Sequence, residues 1–156
     1  MGGAMTGRVS QTILVADDEP SLLKLIKGLL QKRGFRVFAA HTGQAAIEIA
    51  QRHTGNIDLL VADVGLPRIS GAELGEHLQA LCPRLRVMLI SGSDRDSAAH
   101  DKRWTFLTKP FVPSDLIAKV RATLAEGTQP VASSRRRAQL KQRAAGSSES
   151  ATSQAR

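Results

Sequence analysis

Several polar residues stand where apolar runs end. Asp17-Asp18-Glu19 closes Thr12-Ile13-Leu14-Val15-Ala16, and Asp63 closes Leu59-Leu60-Val61-Ala62. Ser91-Gly92-Ser93 closes Arg86-Val87-Met88-Leu89-Ile90, and Thr108-Lys109-Pro110 closes Thr105-Phe106-Leu107. If the runs share one edge of a sheet, Asp17, Asp18 and Asp63 meet there. Three carboxylates cannot stay ionised together without a cation. A hard divalent ion bound by oxygens relieves the repulsion, and Mg²⁺ suits one or two carboxylates plus a phosphoryl ligand. Lys109 adds a fixed positive charge and Ser91 a hydroxyl donor, both suited to phosphoryl oxygens held between a nucleophile and a metal. Each residue alone has a plainer reading. Asp63 could simply start a turn, and Asp17-Asp18-Glu19 could be an acidic first turn that favours a helix dipole. Ser91 could be a turn hydroxyl and Lys109 a solvated loop charge. Their joint occurrence at strand ends favours a site.

The elements that position them follow from patterning. Short apolar runs bounded by turn residues read as buried parallel strands. Five are expected: 12–16, 35–39, the run into Asp63, 86–90 and 105–107. Between them lie helical spacings. Pro20 suits a first helical turn. Leu22, Leu23, Leu25, Ile26, Leu29 and Leu30 then recur with helical period until Gly34 stops them. Thr42-Gly43 opens a second helix, and Leu74, Leu78 and Leu81 mark a third that ends before Pro83. Within 94–103, the stretch of weakest signal, Ser97 to His100 allows one or two helical turns, so a fourth helix is expected to be short. Ser114 is expected to cap a last helix carrying Leu116, Ile117, Val120 and Leu124. Strands alternating with helices imply an α/β fold, a doubly wound parallel sheet with helices on both faces. Ligands bind such sheets outside the carboxyl ends of the strands.

Composition sets the limits. The 156 residues are enough for one domain with a proper core, 42% are hydrophobic and only 3% aromatic, so Leu, Val, Ile and Ala must build that core. No apolar run is long enough to span a membrane, and no leader is expected, which fits a cytoplasmic protein. Met1-Gly2 with Thr6 matches a myristoylation pattern short enough to arise by chance. Cys82 has no partner for a disulfide or metal site, and His41, His53, His77 and His100 show no metal spacing. The net charge of +8 is concentrated late in the chain: from Thr128 onward six Arg or Lys stand against one acid, Glu149. The expected organisation is a loose lead-in over 1–11, one domain over 12–126, and a basic Ser/Arg/Ala-rich disordered tail over 127–156.

The ordered set Asp17-Asp18-Glu19-Pro20, Asp63-Val64-Gly65-Leu66-Pro67 with Gly71, Ser91-Gly92 and Lys109-Pro110-Phe111 resembles the receiver domain of two-component response regulators, the CheY-like superfamily, in its single-domain form. The resemblance implies a flavodoxin-like fold with strand order 2-1-3-4-5 and about five helices. It implies that Asp63 accepts a phosphoryl group from a phosphohistidine on a sensor histidine kinase or a histidine phosphotransfer protein. Asp18, Asp63 and the Gly65 carbonyl would bind Mg²⁺ directly, and Asp17 through a water. Ser91 and Lys109 would contact the phosphoryl oxygens, Phe106 would be the aromatic switch coupled to Ser91, and the peptide before Pro110 would be cis. Gly65 departs from members that carry a side chain there, and the connection between Ser91 and Lys109 is shorter than usual.

Rival chemistries fail on named residues. A flavodoxin-like cofactor site needs a donor-rich phosphate loop after the first strand, where Asp17-Asp18-Glu19 would repel phosphate. A haloacid-dehalogenase-like phosphatase needs a second Asp where Gly65 stands. The expected protein is therefore a signalling domain rather than an enzyme, limited to its own phosphorylation and dephosphorylation. Its output is expected through an unidentified protein target, as a monomer or a phosphorylation-dependent dimer. The alternatives are a phosphorylation-independent interaction module, or nucleic-acid contact through Arg135, Arg136, Arg137, Lys141 and Arg143. Without aromatics or a recognisable motif, a solvated tail is the simpler reading of that run.

Overall fold

In the computed structural model, residues 10–92 and 103–126 are described. They form β1 (Thr12–Ala16), α1 (Pro20–Lys32), β2 (Arg36–Ala40), α2 (Gly43–Arg52), β3 (Leu59–Asp63), α3 (Gly71–Leu81), β4 (Arg86–Ser91), β5 (Thr105–Thr108) and α4 (Pro113–Ala125). The five strands are all parallel, in the order β2-β1-β3-β4-β5. Among the described residues there are four helices, and the short helix expected at 97–100 lies outside them. No helix among the described residues is long and apolar enough to cross a membrane.

Alternation along the strands builds a core on each face. Leu14 and Ala16, Leu60 and Ala62, and Val87 and Leu89 point to the side covered by Ala46 and Ala50 of α2 and Leu74 and Leu78 of α3. Ile13 and Val15, Leu59 and Val61, and Met88 and Ile90 point to the other side. There Leu23, Ile26 and Leu30 of α1 and Leu116, Ile117 and Val120 of α4 cover them. With both faces buried, the central strands read as continuous apolar runs. Polar chemistry is pushed to their ends.

Local signals explain the boundaries. Pro20 occupies the first turn of α1. The helix ends in a Schellman arrangement: the Gly34 N–H donates to Gln31 O and the Phe35 N–H to Leu30 O. Gly34 has φ +88°, the left-handed value this cap needs. Because the cap uses Phe35, β2 covers 36–40 rather than the expected 35–39. Thr42 caps α2, its Oγ1 accepting the Ala45 N–H. Ser70 and Glu73 form a reciprocal capping box at α3, a signal not drawn from the sequence. Ser114 is not the cap of the last helix. Val112 is, without a side-chain bond, and Pro113 takes the first turn. β4 extends one residue beyond expectation because Ser91 pairs with Thr108.

Gly28 stands inside α1 with nothing within 4 Å of the position a Cβ would take. Helix-interior glycine costs roughly 0.5–1 kcal/mol relative to alanine. Gly28→Ala is therefore expected to stabilise the fold by about 1 kcal/mol in urea unfolding. An unchanged or lower midpoint would show that this glycine serves the folded domain in a way its surroundings do not reveal.

Candidate functional site

The carboxyl ends of β1, β3, β4 and β5 share one edge of the sheet, and the polar residues gather there. Asp17 follows β1 directly. Its N–H donates to Ala40 O at 3.1 Å, and its Oδ1 accepts the Glu19 N–H at 2.8 Å. These bonds fix the carboxylate in a buried position, with the residue 1% exposed. Its Oδ2 is left without a hydrogen-bond partner. The Lys109 Nζ is 3.8 Å from that oxygen, close enough for charge attraction and too long for a hydrogen bond. Asp63, the last residue of β3, has Oδ1 accepting the Gly65 N–H at 3.2 Å and Oδ2 3.6 Å from Lys109 Nζ. Asp18 is exposed. One carboxylate oxygen from each of Asp17, Asp18 and Asp63 lies within 4.8 Å of the others.

Burial pushes the Asp17 carboxyl above its ordinary pKa. The Glu19 N–H and the Lys109 ammonium pull it back, while the charges of Asp63 and Asp18 add to the rise. The folded state thus holds this proton more tightly than the unfolded chain does. The group's contribution to stability falls as pH rises through the window between its ordinary and raised values. One ammonium cannot neutralise three carboxylates. The acidic cluster, with a buried orphan oxygen turned into it, fits a divalent cation held by oxygens.

The other expected residues sit around this cluster. Ser91 is buried at the end of β4, and its carbonyl accepts the Lys109 N–H at 2.7 Å. This bond ties the ends of β4 and β5 together beneath the lysine. Lys109–Pro110 is a cis peptide. Phe106 is half-buried, packed against the core on the α2–α3 side. At Gly65 a Cβ would come 3.9 Å from Asp63 Oδ1, so the missing side chain leaves the carboxylate approachable.

Two positions between β3 and the first turn of α3 have backbone constraints that the sequence did not disclose. A Cβ on Gly71 would strike the Asp63 carbonyl oxygen and sit 2.9 Å from its carbonyl carbon. Glycine there lets α3 begin against the end of β3, and the Gly71 N–H closes the loop on Val64 O at 3.1 Å. Arg68 adopts φ +69°, and around it the Ile69 N–H donates to Pro67 O at 2.8 Å. This is a three-residue turn in the left-handed region, where a side chain is strained. Glycine was visible as a turn signal at 71. Nothing about arginine at 68 signals positive φ.

Comparison with known proteins agrees with this geometry. The model of the response regulator receiver domain matches residues 13–121. The response regulator GtcR of Aneurinibacillus migulanus is 32% identical over 124 residues, covering 74% of this chain and 48% of that protein. The crystal structure of the receiver domain of the hybrid histidine kinase CckA matches with TM-score 0.65 and 34% identity, covering 72% of this chain and 98% of that domain. A response regulator receiver protein from Sinorhizobium medicae matches with TM-score 0.68 and 29% identity, covering 76% and 97% of the two chains. The chain spans about half the length of several curated regulators it matches, 48% of GtcR and 49% of PhoP of Bacillus subtilis.

Removing the buried charge tests the electrostatic account. In Asp17→Asn the amide oxygen can still accept the Glu19 N–H, and the new N–H₂ can donate to the neighbouring carboxylates. In chelator the variant is expected to be more stable than wild type by about 1 kcal/mol in thermal or urea unfolding. Its stabilisation by added Mg²⁺ should shrink. A less stable variant in chelator would mean that pairing with Lys109 outweighs burial and like-charge repulsion.

Proposed function

This chain belongs to the response regulator receiver domain family of two-component systems, and from that premise we propose that Asp63 is its phosphoacceptor, with phosphohistidine on a sensor kinase or phosphotransfer protein as donor. The observation that carries this reading is the placement of Asp63 Oδ2 beside Lys109 Nζ at 3.6 Å, within the carboxylate cluster. A nucleophile, a fixed cation and a metal-ligand set occur together, and no plainer reading of the single residues explains all three.

In the proposed reaction an Asp63 oxygen attacks phosphorus. The new O–P bond forms as the P–N bond to the donor imidazole breaks, and the imidazole leaves with the electron pair and takes a proton. Asp18, Asp63 and the Gly65 carbonyl would hold Mg²⁺, with Asp17 acting through a water. When bound, the ion would neutralise charge on the transferring group. The residues of the chain do the rest. The Gly65 N–H fixes one Asp63 oxygen and leaves the other facing Lys109. Lys109, freed from balancing two carboxylates, would follow the phosphoryl oxygens with its ammonium. The Ser91 hydroxyl would donate to another of those oxygens, and its movement would allow Phe106 to turn inward. The bond from the Lys109 N–H to the Ser91 carbonyl ties the backbones of these two residues together. The switch would then be read by a protein partner. A signalling role rather than turnover of a metabolite fits the family.

Treatment of the full chain with a small-molecule phosphodonor, followed by intact mass, tests the proposal. Wild type is expected to gain one phosphoryl group with Mg²⁺ and almost none in chelator, and Asp63→Asn should gain none. Lys109→Ala should slow the gain by roughly 10²-fold, the scale of losing one preorganised charge. Equal labelling of wild type and Asp63→Asn would sink the assignment.

A further inference from the structure

The loop that follows Asp63 is held at its base and at its far limb by different means. At the base, the Val64 N–H donates to Ile90 O at 2.9 Å and the Val64 carbonyl accepts the Gly71 N–H at 3.1 Å. The hydrogen bonds of Gly65 to Ser70 stay within the loop, Asp63 and the start of α3, and among the described residues none of them reaches α2. Side chains make that connection. Leu66 is buried in the core between the sheet, α2 and α3, and Ile69 packs against the same core.

Ile69 is seated on Gly43, the buried first residue of α2, next to the Thr42 cap. A Cβ on Gly43 would strike the Ile69 Cγ2 and lie 3.5 Å from the Ile69 Cβ. Gly43 does not have positive φ, so what glycine provides here is room. The Ile69 Cγ2 is bonded directly to a stiff, β-branched Cβ. It can yield only through a new χ1 rotamer or a shift of the loop backbone. The seat lies one residue after Arg68, whose φ of +69° is a value that side chains adopt rarely. Such a turn persists where its surroundings over-determine it. The seat on Gly43 and the Ser70–Glu73 capping box supply that restraint on the α3 side of the turn.

We propose that Ile69, seated on Gly43, is a positioning residue that holds the acceptor loop in register for metal and phosphoryl binding. The inference rests on the reading of Asp63 as phosphoacceptor and of the Gly65 carbonyl as a metal ligand. Gly65 lies between the two fixed points, Val64 and Ile69. It has no side chain to anchor it, and its N–H bond to Asp63 Oδ1, at 3.2 Å, is at the long end of the hydrogen-bond range. Its placement therefore depends on how firmly the loop is held on either side. α2 supplies none of the clustered carboxylates. Through Gly43 it would nonetheless set the part of the site that those carboxylates cannot supply.

Three variants of the full chain test this: Gly43→Ala, Ile69→Ala and the double variant Gly43→Ala/Ile69→Leu. Leucine keeps the apolar volume but carries no Cγ2, so the double variant gives back the room that alanine takes. Each is measured by urea unfolding in chelator, by Mg²⁺ affinity in calorimetric titration, and by the rate of labelling from a small-molecule phosphodonor at saturating Mg²⁺. Gly43→Ala and Ile69→Ala should each weaken Mg²⁺ binding and slow labelling by about tenfold, within the loss that a misplacement of about 1 Å can cause. The double variant should return both to within about twofold of wild type, the non-additivity expected of residues in contact. Should Gly43→Ala fold poorly, Ile69→Ala, which creates no clash, carries the test. Wild-type Mg²⁺ affinity and labelling in a folded single variant overturn the proposal, even if its urea midpoint falls, because the contact would then be packing alone. Failure of the double variant to recover overturns it too. A wild-type chain that neither binds Mg²⁺ nor takes a phosphoryl group would overturn the reading of the site itself, and this inference with it.

Discussion

Burying both faces of a parallel sheet is the constraint on which the rest of this protein depends. Leu14, Leu59, Leu60, Val61, Met88 and Leu89 are essentially inaccessible to water. The strands that carry them have no face left for a charge. A buried unpaired charge would shift its pKa and neutralise rather than remain. Polar residues are therefore confined to the strand ends and the turns beyond them. Parallel pairing makes all the carboxyl ends coincide, so residues far apart in sequence are forced together. The crowding of Asp17, Asp18 and Asp63 is a consequence of the core.

That crowding is unfavourable in itself, and the local structure is arranged to tolerate it. Two backbone N–H groups, from Glu19 and Gly65, each take one oxygen of Asp17 and Asp63. Lys109 stands between the remaining oxygens at 3.8 and 3.6 Å. Both contacts are longer than a charge-assisted hydrogen bond, so the ammonium is shared and committed to neither carboxylate. Such an ammonium can follow new negative charge without first breaking a tight pair. The Asp17 carboxyl remains raised in pKa despite this help, because burial, joined by the charges of Asp63 and Asp18, outweighs the Glu19 N–H and the Lys109 ammonium.

Much of this was legible in the sequence, and what was not has a physical reason. Apolar runs ending in Asp17, Asp63, Ser91 and Lys109 revealed strands and the edge where they meet, because burial on both faces leaves an unbroken apolar signature. Errors fell at boundaries. Phe35 looks like a strand residue but its N–H completes the cap of α1, and Ser114 looks like a cap but follows Pro113, which sets the first turn. Close approach was also hidden. The need for glycine at 71 depends on a carbonyl belonging to Asp63, and the left-handed turn at Arg68 has no compositional signal. The half-buried setting of Phe106 depends on a packed core that no local pattern encodes.

The same constraint explains why the chain's charge was hard to read from composition. Of the net charge of +8, the segment from Thr128 carries +5, six bases against one acid, so the body looks nearly neutral. Yet a near-neutral body can still be strongly polarised. Carboxylates collect at the ends where strands finish, and arginines collect at the turns where they begin. The sum hides the separation. A field with opposite poles orients the domain toward charged partners before contact, with one edge attracting cations and the other anions. The Arg86–Glu126 bonds tie the end of α4 to the start of β4 at the edge where the strands begin. Charge in this domain is therefore best understood by edge, because the topology decides which residues act together.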